Sequence, residues 1–119
     1  MVSRLSKTAL QKLLSGKVKQ PASVIVKFYS NRCHYCVKLK EDFEQIANTD
    51  ESDRLFFAFN IEDYPAVQDI LNFRGVPTIC FMKVGDPKPR IRLMSEPDKP
   101  NKETWYGLPE IKSFIEAEG

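Results

Sequence analysis

Continuous runs of apolar residues stand at three places along the chain, and each run predicts a β-strand. Residues 22–29 are rich in β-branched and aromatic side chains, which favour a buried, pleated strand. Residues 54–60 form a nearly continuous apolar run, as in strands covered on both faces, so we expect a central parallel strand there. Residues 76–82 form the third run, which the chain enters through Pro77, where the sheet does not need the missing N–H.

Stripes of apolar residues at helical spacing lie between and beyond these runs. The first predicted helix begins at the capping residue Ser6, the third and the fourth begin at prolines, and glycine ends the first and the third. In chain order, helices are predicted at residues 6–16, about 33–48, 65–75 and from residue 109 onwards.

The remaining segments carry weaker patterns. They predict an edge strand at residues 1–5, a hairpin turn at residues 85–89, an alternating edge strand at residues 90–94 and a surface loop at residues 95–102. Residues 103–107 either extend the edge strand or cover the core with Trp105 and Tyr106. Strands that alternate with helices, followed by a hairpin and a closing helix, predict an α/β fold with a mixed β-sheet and helices on both faces.

Size and charge restrict the class of protein. A chain of 119 residues with 42% hydrophobic content fits one compact domain over residues 1–119. Eighteen basic and sixteen acidic residues give a net charge of +2, too little to indicate a nucleic acid or an anionic membrane as partner. We therefore expect a monomer whose partners are proteins.

The cysteine count and the N-terminal segment predict a location. Three cysteines, two of them in a C-x-x-C, do not resemble the paired framework of a small secreted domain and favour a reducing compartment. In residues 1–20, basic and polar residues interrupt the apolar ones, so neither a signal-peptide core nor a membrane span is predicted. The expected location is cytoplasmic.

The C-x-x-C motif lies at the junction of the first apolar run and the second helix. This position places Cys36 on the buried face of the helix and Cys33 at its N-terminus, where unpaired N–H groups and the helix dipole favour a thiolate. Arg32 and Lys38 add formal positive charge and His34 adds a fraction of a charge, and all three should lower the pKa of Cys33. We predict an exposed nucleophile at Cys33 and a buried resolving thiol at Cys36.

A structural disulfide or a zinc half-site is the alternative interpretation of this motif. Zinc takes about four ligands, and only Cys80 and His34 remain to complete such a set. The strand-then-helix context favours redox chemistry, so we expect neither a metal nor a cofactor. Cys80 lies within an apolar run and is interpreted as an inert, buried thiol.

Two segments give the chain its resemblance to the thioredoxin superfamily: FYSNRCHYCVKLKEDFEQIA around the cysteines, and Arg-Gly-Val-Pro-Thr at residues 74–78. The resemblance implies the thioredoxin fold, with a cis Pro77 against the cysteines and the backbone of Val76 offered to an extended substrate peptide. It also implies a thiol–disulfide oxidoreductase that acts on protein disulfides, with a thioredoxin reductase or glutathione as electron donor. Arg32 and Tyr35 would then border the substrate.

The sequence departs from the family pattern beside the motif. Arg32 replaces the usual tryptophan, Glu41 replaces a helix-kinking proline, and residues 83–106 are longer than usual. Lys27 stands where the family has a buried acid. It is interpreted either as a charge that tunes the cysteines or, preferably, as a lysine with a buried stem whose amine reaches solvent. A second functional hypothesis is a redox-gated or structural binding module that uses residues 83–106 as its contact surface.

Overall fold

The computed structural model describes residues 1–85 and 88–119. The chain is built around one mixed β-sheet. Its strands are β1 (Val2–Arg4), β2 (Ala22–Tyr29), β3 (Leu55–Asn60), β4 (Thr78–Val84) and β5 (Arg90–Leu93). They lie in the order β1-β3-β2-β4-β5. Strands β1, β3 and β2 are mutually parallel, whereas β4 is antiparallel to β2 and β5 is antiparallel to β4. The predicted turn at residues 85–89 includes residues 86 and 87, which lie outside the described residues.

Helices cover both faces of this sheet. They are α1 (Lys7–Leu14), α2 (His34–Thr49), α3 (Val67–Leu71) and α4 (Leu108–Glu118), with a short 3-10 turn at Ile61–Asp63. Helices α1 and α3 contribute to one apolar cluster, and α2 and α4 contribute to a second. The predicted α/β thioredoxin fold is therefore confirmed.

The middle strand β2 serves both clusters, because successive side chains of a strand point to opposite faces. Val24, Val26 and Phe28 belong to the cluster with α1 and α3. Ile25 belongs to the cluster with α2 and α4, and Lys27 follows it with the same parity. A cation thus occupies an inward position on the face that α2 covers.

Some predicted boundaries are wrong. The third helix ends at Leu71 rather than at Gly75, and the next residue, Asn72, has φ 60° and ψ 51°. Asparagine tolerates this left-handed conformation better than most residues, because its short polar side chain can bond locally. Strand β4 begins at Thr78 rather than at residue 76, and the cis Val76–Pro77 peptide precedes it.

Residues 101–106 fold back on themselves instead of extending the edge strand. An isolated antiparallel bridge joins Asn101 to Trp105, through backbone hydrogen bonds of 3.0 Å in both directions. Trp105 has φ 69°, and the next side chain, Tyr106, is buried in the cluster with α2 and α4. Of the two alternatives for this segment, covering the core is the one observed. No helix within residues 1–85 and 88–119 is long and apolar enough to cross a membrane.

Candidate active site

Cys33 and Cys36 form a disulfide at the start of α2, with their Cα atoms 5.2 Å apart. Cys33 is the capping residue of the helix, with an extended backbone, and its Sγ accepts a hydrogen bond from the backbone N–H of Cys36 at 3.2 Å. The cysteine side chain thereby takes the place of the serine or aspartate that usually caps a helix. The structure places Cys33 where the helix terminus favours negative charge on sulfur.

Burial does not separate the two cysteines as expected. Cys33 is 9% exposed and Cys36 is 6% exposed, so the predicted contrast between an exposed and a buried sulfur is wrong in this disulfide state. The two residues differ instead in their surroundings. Cys33 approaches Val76, whereas Cys36 lines a cavity together with Lys27.

The Val76–Pro77 peptide lies against the disulfide. The Sγ atom of Cys33 is 3.5 Å from the carbonyl oxygen of Val76, and the peptide bond to Pro77 is cis. Just beyond it, the hydroxyl of Thr78 donates a hydrogen bond of 2.6 Å to the carbonyl oxygen of Gly75, which closes the turn. The structure therefore brings the C-x-x-C and the segment at residues 74–78 together.

A groove of about 640 Å³ lies beside this contact. Tyr35, Val76 and Pro77 line it from the motif side, and Met94 and Trp105 line it from the long C-terminal segment. The rings of Tyr35 and Trp105 lie 5.4 Å apart between centroids, so they form an aromatic wall, which we define as these two side chains. Aromatic pairs at this separation contribute about 0.5–1.5 kcal/mol beyond their buried area.

Trp105 was missed as a site residue by the sequence reasoning, which assigned it to covering the core. It is the only tryptophan of the chain. The residue before the motif, where the family pattern has tryptophan, is the exposed Arg32, so an indole reaches the groove from a different part of the sequence. The sequence does contain a signal for this role: tryptophan is missing beside the motif, and the single tryptophan of the chain stands elsewhere, at residue 105.

The charged residues predicted to tune the cysteines lie in different environments. Arg32 and His34 are exposed, and the ring of His34 is 3.9 Å from that of Tyr35. Lys27 is only 4% exposed and lines a cavity of about 530 Å³. Lys27 is thus buried along most of its length and faces a recess that opens to the surface, so the preferred interpretation, a buried stem with an amine that reaches solvent, stays a prediction.

Burial has a direct effect on the charge of Lys27. Desolvation lowers its pKa to about 8, partly offset by Glu44, while Lys40 lowers it further. Its Nζ atom lies 5.4 Å from the ring centroid of Phe43 and 5.7 Å from that of Tyr29. With this pKa, roughly a tenth of the Lys27 side chains are free amines at pH 7, whereas an ordinary lysine is almost fully charged there.

Hydrogen bonds hold the loop before Cys33 against the end of β3. The side-chain amide of Asn60 donates to the side-chain oxygen of Asn31 at 3.1 Å, and the backbone N–H of Glu62 donates to the side-chain oxygen of Asn60 at 2.9 Å. The carboxylate of Glu62 in turn accepts from the backbone N–H of Asn31 at 2.9 Å. This closed set of bonds fixes the approach to the motif.

The third cysteine takes no part in the site. Cys80 is fully buried, and burial raises its pKa to about 12, so its thiolate is scarcely populated at neutral pH. Within the described part of the chain, no group of three or more His, Cys, Asp or Glu residues could hold a metal ion.

Comparison with known proteins defines the class of protein. The family model described as Thioredoxin matches residues 3–102, so the chain belongs to the thioredoxin family. Among curated relatives, it is 32% identical over 93 residues to the thioredoxin-like protein CITRX, chloroplastic, of Arabidopsis thaliana, covering 77% of this chain and 49% of that protein. It is 31% identical over 80 residues to thioredoxin of Mycoplasmoides gallisepticum, covering 67% and 75%.

Solved structures show the same fold. Chloroplastic thioredoxin z superposes with a TM-score of 0.68 at 17% identity, covering 98% of this chain and 92% of that one. Thioredoxin of Trichomonas vaginalis superposes with a TM-score of 0.70 at 19% identity, covering 100% and 97%. The chain spans about half the length of the CITRX relatives it matches.

These findings confirm the predicted family, and a C-x-x-C pair at disulfide distance is present in this thioredoxin-family chain. The binding-module alternative is not favoured. The predicted cytoplasmic location is wrong, because the CITRX relatives from rice, Arabidopsis, potato, tomato and Nicotiana benthamiana are named as chloroplastic. The sequence reasoning had taken the cysteine count and the N-terminal segment as evidence of location, and neither distinguishes the cytoplasm from another reducing compartment.

Proposed function

We propose that this chain reduces disulfides in protein substrates through Cys33 and Cys36. The thiolate of Cys33 attacks a substrate disulfide and forms a mixed disulfide, and Cys36 then attacks Cys33 and releases the reduced substrate. The single observation that carries the proposal is the disulfide at the N-terminus of α2, with Cys33 Sγ 3.5 Å from the carbonyl oxygen of Val76.

The roles of the two cysteines follow from their surroundings. A backbone N–H donates directly to the sulfur of Cys33, and the exposed cation Arg32 precedes it in sequence. Hydrogen bonds to a charged acceptor are stronger than those to a neutral one, so this arrangement favours the thiolate. Cys33 is therefore the nucleophile and Cys36 the resolving cysteine.

The groove supplies the substrate contacts. The backbone of Val76, next to Pro77, is placed to pair with an extended peptide, as in β-augmentation. Tyr35 borders the same groove, whereas Arg32 is exposed at the helix terminus and supplies charge rather than an apolar surface. An extended segment around the substrate cysteine is the form of substrate that fits.

The test is reduction of insulin disulfides by the wild-type chain, Cys33→Ser and Cys36→Ser, with dithiothreitol as electron donor. We expect turnover only with the wild type, since both sulfurs are needed to complete the cycle. A variant without Cys33 that keeps wild-type turnover would overturn the proposal. Replacing dithiothreitol first by a thioredoxin reductase with NADPH, and then by glutathione, identifies the electron donor.

The relatives support a plastid as the location of this chain, because the CITRX proteins it matches are chloroplastic. Residues 1–119 act in this proposal as one thioredoxin-like domain and as a monomer. Sedimentation of the purified chain tests the monomer, and fractionation of the cells that make the protein tests the location. A dimer in the first experiment, or recovery with cytosolic markers in the second, would contradict these statements.

A further inference from the structure

Tyr106 brings a polar group to the groove beside Cys33. It lines this groove and, as a residue, is only 2% exposed. Within residues 1–85 and 88–119, its backbone oxygen accepts a hydrogen bond from Thr104, but its hydroxyl makes none. No fully buried polar side-chain atom in that part of the chain lacks a partner, so the hydroxyl is accessible from the groove. A phenol in this position is free to bond a ligand.

A carboxylate lies within electrostatic reach of this hydroxyl. Glu96 is exposed and lines the same groove, and it forms no salt bridge with any other described residue. Burial, together with the negative charge of Glu96, raises the pKa of Tyr106 to about 12, so the phenol keeps its proton at neutral pH. The groove therefore presents one negative charge and a phenolic oxygen close to each other.

The aromatic wall lines the groove together with these two oxygen-bearing groups. Trp105 precedes Tyr106 in the chain, and the ring of Tyr35 adjoins that of Trp105 from α2. The faces of tryptophan and tyrosine rings attract cations. The guanidinium of arginine is planar, stacks on such rings and donates hydrogen bonds to carboxylates in a fixed fork. An arginine side chain would use the rings, the carboxylate and the phenol at once, whereas an apolar side chain would use the rings alone.

We propose that this groove selects protein disulfides that carry an arginine within two residues of the substrate cysteine. The inference rests on the disulfide exchange proposed above and names the class of substrate for it. The guanidinium stacks on the aromatic wall and donates hydrogen bonds to the carboxylate of Glu96 and the hydroxyl oxygen of Tyr106, while the substrate backbone pairs with Val76. Arg74 also lines the groove and repels such a cation, so the preference is the balance of these contacts against Arg74.

The experiment compares peptide disulfides that differ in one side chain. Each substrate is the symmetrical disulfide of a short peptide with a single cysteine, and arginine is placed in turn at the two positions before and the two positions after it. A matched set carries citrulline, which has nearly the same shape without the charge, and a third set carries phenylalanine. Reduced protein in excess is mixed with each peptide, the reaction is stopped with acid, and chromatography of the released peptide thiol gives the second-order rate constant.

We expect the wild type to prefer arginine over citrulline by about three- to tenfold at one or more positions, since an exposed cation–π contact and an exposed ion pair each contribute up to about fivefold. Glu96→Gln should reduce this preference to about twofold or less, and Trp105→Ala should reduce it as well. Arg74→Gln should increase it. Asp98→Asn, an exposed carboxylate that does not line the groove, is the matched control and should leave it unchanged.

Two results would overturn the inference. In the first, the arginine preference survives Glu96→Gln undiminished, which would show that arginine acts only through the reactivity of its own cysteine, an effect common to all variants. In the second, phenylalanine peptides react faster than arginine peptides at every position, which would show that the aromatic wall takes an apolar side chain. Failure to reduce any of the peptides would instead refute the exchange function itself, so the two kinds of failure are distinct.

A second measurement covers the case in which Trp105→Ala does not fold. Tyr106→Phe keeps the buried ring and removes only the hydroxyl, so it should lower the arginine preference without changing the rate of the phenylalanine peptides. The wild-type preference should also shrink in about 1 M salt, where charges are screened beyond about 3 Å. A preference that Tyr106→Phe leaves unchanged and that salt does not diminish would contradict the proposed recognition of arginine.

Discussion

The sulfur of Cys33 lies 3.5 Å from the carbonyl oxygen of Val76, a residue 43 positions away in the sequence. The contact joins the start of α2 to the turn that precedes β4, and so places the reactive sulfur beside the backbone that a substrate peptide would pair with. This arrangement therefore discriminates between the two cysteines, and it can be tested chemically.

The first prediction assigns the two sulfurs. Cys36→Ser should accumulate a stable mixed disulfide at Cys33 with a protein or peptide disulfide, because no resolving thiol remains. Cys33→Ser should accumulate almost none. Mass mapping after alkylation of the free thiols measures both products. Adducts found mainly on Cys36 of the Cys33→Ser protein would reverse the assignment.

The second prediction concerns the aromatic wall. Trp105→Ala should raise KM for a peptide disulfide with little change in kcat, because the indole lies in the groove and its ring is 5.4 Å from that of Tyr35. A loss of about 0.5–1.5 kcal/mol corresponds to a rise of roughly two- to twelvefold. Trp105→Phe is the control that retains a ring. Equal KM values for all three proteins would exclude the wall from substrate binding.

Features that depend on local sequence patterns could be predicted, and contacts between distant residues could not. β-Branched and aromatic residues marked Ala22–Tyr29 with the correct bounds, since the pattern that predicts a strand lies within the strand itself. No local pattern predicts the contact between Tyr35 and Trp105, because the two residues are 70 positions apart in the sequence. Their rings meet where the chain folds back at the Asn101–Trp105 bridge. Trp105 also adopts φ 69°, a conformation that no propensity of tryptophan predicts.

Lys27 illustrates a different limit. Its position within an apolar strand was visible in the sequence, and both a tuning charge and a surface-reaching amine were consistent with it. Which of them applies depends on what α2 places over the side chain, and only the three-dimensional structure shows that Cys36, Lys40 and Glu44 surround one recess. Burial, rather than residue type, determines the ionisation of such a group.

The third prediction concerns the loop before the motif. Asn60 is 4% exposed, and its side chain bonds both Asn31 and the backbone of Glu62. Asn60→Ala removes both of these hydrogen bonds, each of which contributes about 0.5–1.5 kcal/mol, so the free energy of unfolding should fall by about 1–3 kcal/mol. Asn48→Ala, at an exposed position on α2, is the control and should change it by less than about 0.5 kcal/mol. Urea unfolding of the oxidised proteins measures both changes.

The fourth prediction concerns the pH dependence of stability. The pKa of Lys27 falls from an ordinary value of 10.5 in the unfolded chain to about 8 in the folded one. Between these values the unfolded state binds more protons, so this residue makes stability rise with pH there. Below about 8 the lysine is charged in both states and the full cost of burying the charge applies.

Lys27→Met should accordingly be more stable than the wild type at neutral pH, on the order of 1 kcal/mol, because it removes a buried charge without a partner. The difference should shrink as the pH rises through 8 towards 10.5. Subtracting the two unfolding curves cancels the titration of every other group. A difference that does not change with pH would show that Lys27 is solvated in the folded protein.

The last prediction concerns the redox potential. Positive charge near Cys33 stabilises its thiolate, and therefore the reduced form, so removing that charge should make the disulfide harder to reduce. Arg32 is exposed at the helix terminus, and Arg32→Glu reverses its charge without altering the core. The potential should fall, by less than about 30 mV, since an exposed charge contributes under about 1.4 kcal/mol. Lys38→Glu, at an exposed position of α2 two residues after Cys36, should lower it by a smaller amount. Equilibration with glutathione buffers measures the potentials, and the shift should diminish in about 1 M salt, where charges are screened beyond about 3 Å. A shift that persists undiminished in salt would mean that Arg32→Glu acts by changing the structure around Cys33, and a rise in potential would contradict the electrostatic account of the motif.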